Sequence, residues 1–290
     1  MRIANVEGRA FLLTADDRGL DVAEASEGKF GPDLTSLYED WDGFRAWAEQ
    51  TPEGVEKNFS RRQLGSPSPA PRQIVAIGLN YRAHAAESGF DAPDRLPPTF
   101  TKFVSSLTGP DAEVVIPQGG NVDWEVELVV VVGRTATAVA EDEAWESVAG
   151  VTIGQDISER VSQLAGPAPQ FSMGKSFPKF APVGPWLITP DALVDKDDLP
   201  LGCAVDGETM QDGSTRDLIF PVARLVAELS RTITLYPGDI IFTGTPAGVG
   251  VGRDPQRFLQ PGEELVSWIE GVGEMRQTFV AADDLARKGS

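Results

Sequence analysis

Within GLNYRAHAAESG (78–89) three side chains are able to do acid–base chemistry: Tyr81, His84 and Glu87, of which His84 is the only histidine in 290 residues. On a helix they fall at successive i, i+3 positions and share a face, so the carboxylate can reach and orient the imidazole. That is how a general base is built. A surface or core histidine beside a solvated charge fits this stretch alone equally well.

A second constellation is DWEVELVVVVG (123–133). On a strand, Glu125 and Glu127 point to one face about 6.5 to 7 Å apart, twice the rise per residue. Beyond Glu127 both faces turn apolar, so the strand is buried on both sides and two like charges entering it need compensation. A divalent cation between oxygen ligands supplies it; a wet strand end facing water is the other reading. Asp156 tips the balance, because it closes the apolar strand VTIGQD and sets a third carboxylate at the mouth of a buried strand. Arg160 lies on the same side as Asp156 if a helix starts there. With one His and one Cys in the chain, a His/Cys zinc site is effectively excluded. Three carboxylates suit a hard ion, Mg²⁺ or Mn²⁺, with Ca²⁺ as the further option.

Two loops complete the inventory. In GKSFPKFAPVGPW (174–186) prolines and glycines predict an irregular backbone around Lys175, whose ammonium can pair with a substrate carboxylate or with developing negative charge. A solvated loop lysine is the plain alternative, and Lys179 is read that way. PGDIIFTGTPAGVGVG (237–252) is a strand entering a glycine-rich loop. It lacks the GK[ST] ending of a phosphate loop and the helix of a dinucleotide fingerprint. Its backbone N–H groups and Thr245 can hold an anion such as a carboxylate; a tight turn is the simpler account.

These side chains need a scaffold. RIANVEG and AFLLTAD read as short strands, followed by one amphipathic helix capped by Asp33 and striped by Leu34, Leu37, Tyr38, Trp41, Phe44, Arg45 and Ala48. GSPSPAP (65–71) propagates neither helix nor central strand and marks a boundary. IVAIGL, EVELVVVVG, VAGVTIGQDI and LVSWIEG read as strands, and FPVARLVAELS (220–230) as a helix. Without a regular βαβ rhythm, the expected architecture is a mixed, β-rich α+β fold rather than a doubly wound sheet.

The net charge of −19, from 25 basic and 44 acidic residues, argues against nucleic acid or an anionic membrane as partner. No apolar run approaches the ~20 residues that cross a bilayer. The lone Cys203 cannot form an intramolecular disulfide, and MRIANVEGRAFLL does not read as a signal peptide, so the expected compartment is the cytoplasm.

Taken in order, NYRAHAAE, DWEVELVVVVG, GQDISER, GKSFPKFAPVGPW, QDGSTRD and FTGTPAGVG resemble the fumarylacetoacetate hydrolase family over roughly residues 70–280. The resemblance implies a β-roll-like mixed sheet of that family's C-terminal type, a small N-terminal α+β domain (1–65), a linker (66–72), a catalytic metal-binding domain (73–290), and a homodimer. It implies Glu125, Glu127 and Asp156 as ligands of Mg²⁺ or Mn²⁺, His84 and Glu87 as the water-activating pair on a lid, and Lys175 as the site lysine. Tyr81, Arg160, Gln163 and Thr245 fall at substrate-side positions. Relatives often carry Asp where this chain has Pro178, which bears on the lysine loop and not on the metal ligands. The implied reaction is metal-dependent hydrolysis of a C–C bond in a 2,4-diketo acid of the acylpyruvate or fumarylpyruvate type, giving pyruvate and a carboxylic acid. The alternative is a decarboxylase, isomerase or lyase acting on an oxaloacetate-like or sugar-derived keto acid at the same site. A noncatalytic protein keeping the fold is expected to have lost a site residue, and none is missing.

Overall fold

The structure, a computed structural model, describes residues 1–50, 52–87, 89 and 91–282. The last eight residues of the expected catalytic domain lie outside the described residues. The principal strands are β1 (Arg2–Val6), β2 (Arg9–Ala15), β3 (Arg18–Asp21), β4 (Glu56–Asn58), β5 (Ile74–Ile77), β6 (Thr99–Thr101), β7 (Asp111–Ile116), β8 (Val126–Val132), β9 (Val148–Gln155), β10 (Ala181–Ile188), β11 (Pro200–Val205), β12 (Glu208–Ser214), β13 (Ile240–Phe242), β14 (Glu264–Ile269) and β15 (Gly273–Ala281). They form two mixed sheets, ordered β4-β3-β2-β1-β10-β9-β8-β13-β5-β6 and β12-β11-β14-β15-β7. The α-helices are short: α1 (Val22–Ala25), α2 (Leu34–Glu39), α3 (Trp41–Ala48), α4 (Arg82–Glu87), α5 (Arg160–Gln163), α6 (Phe171–Gly174) and α7 (Val222–Ser230). The fold is therefore the mixed, strand-dominated α+β class that the pattern predicts.

β8 is an interior strand of the larger sheet, between β9 and β13. All seven of its residues are buried, as its two-sided apolar run requires. Val126, Leu128, Val130 and Val132 share a core with Leu201, Cys203, Leu265 and Phe279 of the second sheet. Val131 joins Ala149 and Leu187 beneath α2 and α3, whereas Val129 packs with Ile74, Ile240, Phe242 and Phe100. β8 pairs antiparallel with β9, Val126 opposite Gln155 and Val130 opposite Val151. That register sets the entrance of β8 beside the exit of β9.

Two expected elements differ. The helix from Asp33 to Ala48 is broken: Asp40 leaves helical geometry (φ −133°, ψ 56°) and its carboxylate accepts from the Gly43 N–H, capping α3, while Asp33 caps α2 through the Ser36 N–H. The apolar stripe survives because both helices cover the same face, joined by the Tyr38–Trp41 and Trp41–Phe44 ring contacts. In the lysine loop, only the first half is irregular, and Ala181–Ile188 is the fully buried strand β10. Its pairing with β9 and β1 outweighs the prolines. Through that β1 contact the N-terminal strands extend the larger sheet.

Candidate metal centre and active site

Glu125 and Glu127 flank Val126 at the entrance of β8, and Asp156 follows Gln155 at the exit of β9. The Asp156 N–H donates to the Glu125 carbonyl at 2.9 Å. One carboxylate oxygen from each of the three acids lies within 4.8 Å of the others, and all three residues are buried. Such an oxygen-only set, at this spacing and depth, fits a hard divalent cation.

The cations around the acids are placed unequally. Lys175, at the end of α6, reaches Glu125 Oε2 at 2.7 Å and Asp156 Oδ2 at 2.6 Å. Its position depends on Gly174, where an added Cβ would come within 2.5 Å of the Gln163 backbone nitrogen, so only glycine lets α6 seat against α5. Arg160 Nη1 lies 2.8 Å from Glu125 Oε1 and donates to Gln163 Oε1. Among the described residues, Glu127 receives only the Gly244 N–H, at 2.6 Å. Burial and the charges of Asp156 and Glu125 push the Glu127 carboxyl well above the usual carboxylate range. Burial also works against ionisation of Glu125, but Lys175 and Arg160 outweigh it and hold that carboxyl far below its ordinary value. The two glutamates, chemically identical and two residues apart, are thus driven in opposite directions by their partners.

His84 and Glu87 meet as their spacing predicts, with Nδ1 3.3 Å from Oε2. His84 lies within electrostatic range of Glu125. Tyr81 does not share the helix. It precedes α4, bridges to Leu218 as extended backbone, and is buried with its hydroxyl unpartnered among the described residues. Burial, with the charges of Glu127 and Asp217, raises that phenol's pKa.

Three expectations change in detail. α5 begins at Arg160 and not at Asp156, so Arg160 turns to Asp123, with Nε 2.8 Å and Nη2 2.6 Å from Oδ2, and to Glu125. The amides of the glycine loop hold carboxylates of the chain itself: Gly244 N–H meets Glu127, Gly248 N–H meets Glu87, and those of Gly250 and Val251 meet Asp123. Thr245 donates its hydroxyl proton to the Val126 carbonyl and accepts from Gln211, leaving an oxygen lone pair for any ligand.

Two charged residues of the site escaped sequence reasoning. Lys102 is fully buried; its ammonium lies 2.5 Å from Asp156 Oδ1 and also donates to the Lys175 carbonyl. Asp123 has no exposed surface and gathers Arg160, Gly250 and Val251. Signals existed for both: a lysine set between phenylalanines in TFTKF, and an acid opening the very motif that carries Glu125.

A three-carboxylate cradle at the paired ends of two buried strands, overlooked by a histidine–glutamate pair, defines a metal-dependent enzyme built on a mixed β fold. The chain belongs to the fumarylacetoacetate hydrolase family, whose C-terminal profile, Fumarylacetoacetate (FAA) hydrolase C-terminal, matches residues 73–280. It is similar to 2,4-didehydro-3-deoxy-L-rhamnonate hydrolase of Sphingomonas sp. (strain SKA58), 48% identical over 217 residues, which are 74% of this chain and 75% of that one. It is also 42% identical to the mitochondrial oxaloacetate tautomerase FAHD2A of Homo sapiens over 72% of this chain and 66% of the relative. Among solved structures, maleylpyruvate hydrolase from Sphingobium sp. SYK-6 in complex with manganese(II) and pyruvate superposes with a TM-score of 0.80 at 30% identity, covering 97% of this chain and 99% of the other.

Proposed function

We propose that this enzyme hydrolyses a carbon–carbon bond in a 2,4-diketo acid of the acylpyruvate or fumarylpyruvate type, releasing pyruvate and a carboxylic acid. The observations that support the reading are the buried cradle of Glu125, Glu127 and Asp156 and the buried His84 paired with Glu87 within electrostatic range of Glu125. Glu125, Glu127 and Asp156 would hold Mg²⁺ or Mn²⁺, which when bound supplies Lewis acidity toward a keto acid and charge balance for an enolate. Likeness to hydrolases of a 2,4-didehydro-3-deoxy acid and of maleylpyruvate supports this choice.

In this reading His84, oriented by Glu87, takes a proton from water, and the resulting hydroxide adds to the distal carbonyl. The bond between that carbonyl carbon and the methylene carbon breaks, and the electron pair leaves as pyruvate enolate, which takes up a proton to give pyruvate. Lys175, ion-paired with Glu125 and Asp156, would balance the oxyanion or help protonate the enolate. Tyr81 would offer its buried, unpartnered hydroxyl to the substrate, and Arg160 and Gln163, hydrogen-bonded to each other, would serve on the substrate side.

A second reading is an isomerase, tautomerase, decarboxylase or lyase on an oxaloacetate-like or sugar-derived keto acid, favoured by the likeness to the human tautomerase. Only hydrolysis needs activated water. The test is loss of diketo-acid absorbance over a panel of acylpyruvates and fumarylpyruvate, with oxaloacetate tautomerisation and decarboxylation run beside it. Each is measured with Mg²⁺, Mn²⁺ or EDTA, on wild type and His84→Ala. Metal-dependent release of pyruvate that falls 10²-fold or more in the variant, roughly the scale of general-base catalysis, supports hydrolysis. Oxaloacetate chemistry that survives the substitution without C–C cleavage moves the function to the second reading. We further assign residues 1–65 to an N-terminal unit and 73–290 to the catalytic one, and propose a cytoplasmic homodimer.

A further inference from the structure

The glycine loop that follows β13 was expected to hold a ligand's anion, and it holds the protein's own. One of these contacts reaches the proposed base. The Gly248 N–H lies 3.1 Å from Glu87 Oε1 and 3.2 Å from Oε2, while Oε2 also faces His84 Nδ1 at 3.3 Å. Gly248 has φ +105°, and a Cβ there would come within 2.3 Å of the Met210 carbonyl, so the amide can be presented in this orientation only by glycine. Four residues on, a Cβ at Gly252 would stand 2.5 Å from Glu87 Cγ, 2.6 Å from Cδ and 2.9 Å from Oε1, and those are its three nearest atoms. The missing side chain of Gly252 is therefore the space that Glu87 fills.

We propose that Gly248 and Gly252 form a seat for Glu87, and that they are positioning residues which fix His84 and helix α4 over the cradle. The proposal rests on the base role given to His84 above. A carboxylate held by a fixed backbone amide has one orientation to offer the imidazole. A displaced one leaves the ring free to turn, and a displacement of about 1 Å in a catalytic group can cost up to 10²-fold in rate. The same contact ties α4 to the loop, so its loss frees the helix amides to exchange. Because Asp123 grips the loop separately through Gly250 and Val251, disturbing the seat leaves the cradle intact.

The experiment is a double-mutant cycle of Gly252→Ala and Glu87→Ala, read by kcat, KM, Mn²⁺ affinity and hydrogen–deuterium exchange of residues 82–87. The expected result is a kcat about 10- to 100-fold lower in Gly252→Ala, with KM and Mn²⁺ affinity within twofold of wild type and faster exchange in α4. Adding Gly252→Ala to Glu87→Ala should then change kcat and exchange less than twofold, the signature of two residues acting through one contact. Glu87→Asp, too short to keep the seat, should reproduce the faster exchange without touching the loop. An equal loss from Gly252→Ala in both backgrounds overturns the proposal, and so does unchanged kcat in Gly252→Ala or unchanged exchange in Glu87→Asp. If wild type turns over no keto acid, the functional reading falls, while the exchange comparison still decides whether the seat exists.

Discussion

Lys102 carries its ammonium where there is no exposed surface, at the base of the cradle. Burial, only partly offset by Asp156, lowers its pKa. Its three hydrogens are matched by three acceptors: Asp156 Oδ1, the Lys175 carbonyl and the Ile157 carbonyl. One residue thus fixes a proposed metal ligand and the backbone of the site lysine together. Lys102→Met keeps most of the volume but leaves Asp156 with an uncompensated oxygen. It is expected to cost about 3–5 kcal/mol, as breaking a buried pair does, measured by urea unfolding of the metal-free protein. An unchanged midpoint would show that Lys175 alone satisfies Asp156. Addition of Mn²⁺ should raise the melting temperature of wild type, and Glu125→Gln should abolish that rise in a thermal-shift titration.

At the scale of elements, the site exists because three strands meet without side chains in the way. Gly154 lies in β9 opposite Glu127. A Cβ there would stand 2.4 Å from Val129 Cγ2 and 2.5 Å from Phe242 Cε1, so the glycine gives the Phe242 ring of β13 its place beside β8. Gly154→Ala is expected to destabilise by about 1–3 kcal/mol through overpacking, again read by urea unfolding. Because Gly154 is two residues from Asp156 and pairs with Glu127, the same variant should weaken Mn²⁺ binding. The broken helix shows the complementary case. Asp40 interrupts α2 and α3 for the sake of its own cap, and the aromatic residues on either side still reach one core.

On the whole-molecule scale, the N-terminal strands join the larger sheet by pairing of β1 with β10, and charged ties hold those strands to one another. Asp21 makes one of them: its buried carboxylate takes a bidentate Arg9 at 2.6 and 2.9 Å and the Glu24 N–H. Burial opposes its ionisation, but the hydrogen bonds to Arg9 and Glu24 prevail and its pKa is lowered. A carboxyl with a depressed folded-state pKa adds stability above its unfolded pKa, about 3.9, and loses it as pH falls through the folded value. Asp21→Asn should therefore cost roughly 1–2 kcal/mol at pH 7, with the difference from wild type shrinking below about pH 4. Parallel unfolding curves at the two pH values check this. A constant difference would assign the loss to packing.

Sequence alone determined the features that depend on local order. The alternation and length of apolar runs gave β8, β9 and α7, because burial on one face or two writes itself into residue spacing. The carboxylate pair at the entrance of β8 and the His84–Glu87 pair were legible because their partners lie two and three residues apart. Only the tertiary structure decided what lies across chain distance. Lys102 reaches Asp156 over 54 residues, Arg160 chooses Asp123 over 37, and Gly248 takes Glu87 over 161. Hydrogen-bond donors are satisfied by whatever acceptor the fold brings near, and no periodicity records that choice. The glycine loop illustrates the difference. Its composition announced amides free to receive anions, and the packing of β8, α4 and Asp123 against it decided that those anions are the chain's own.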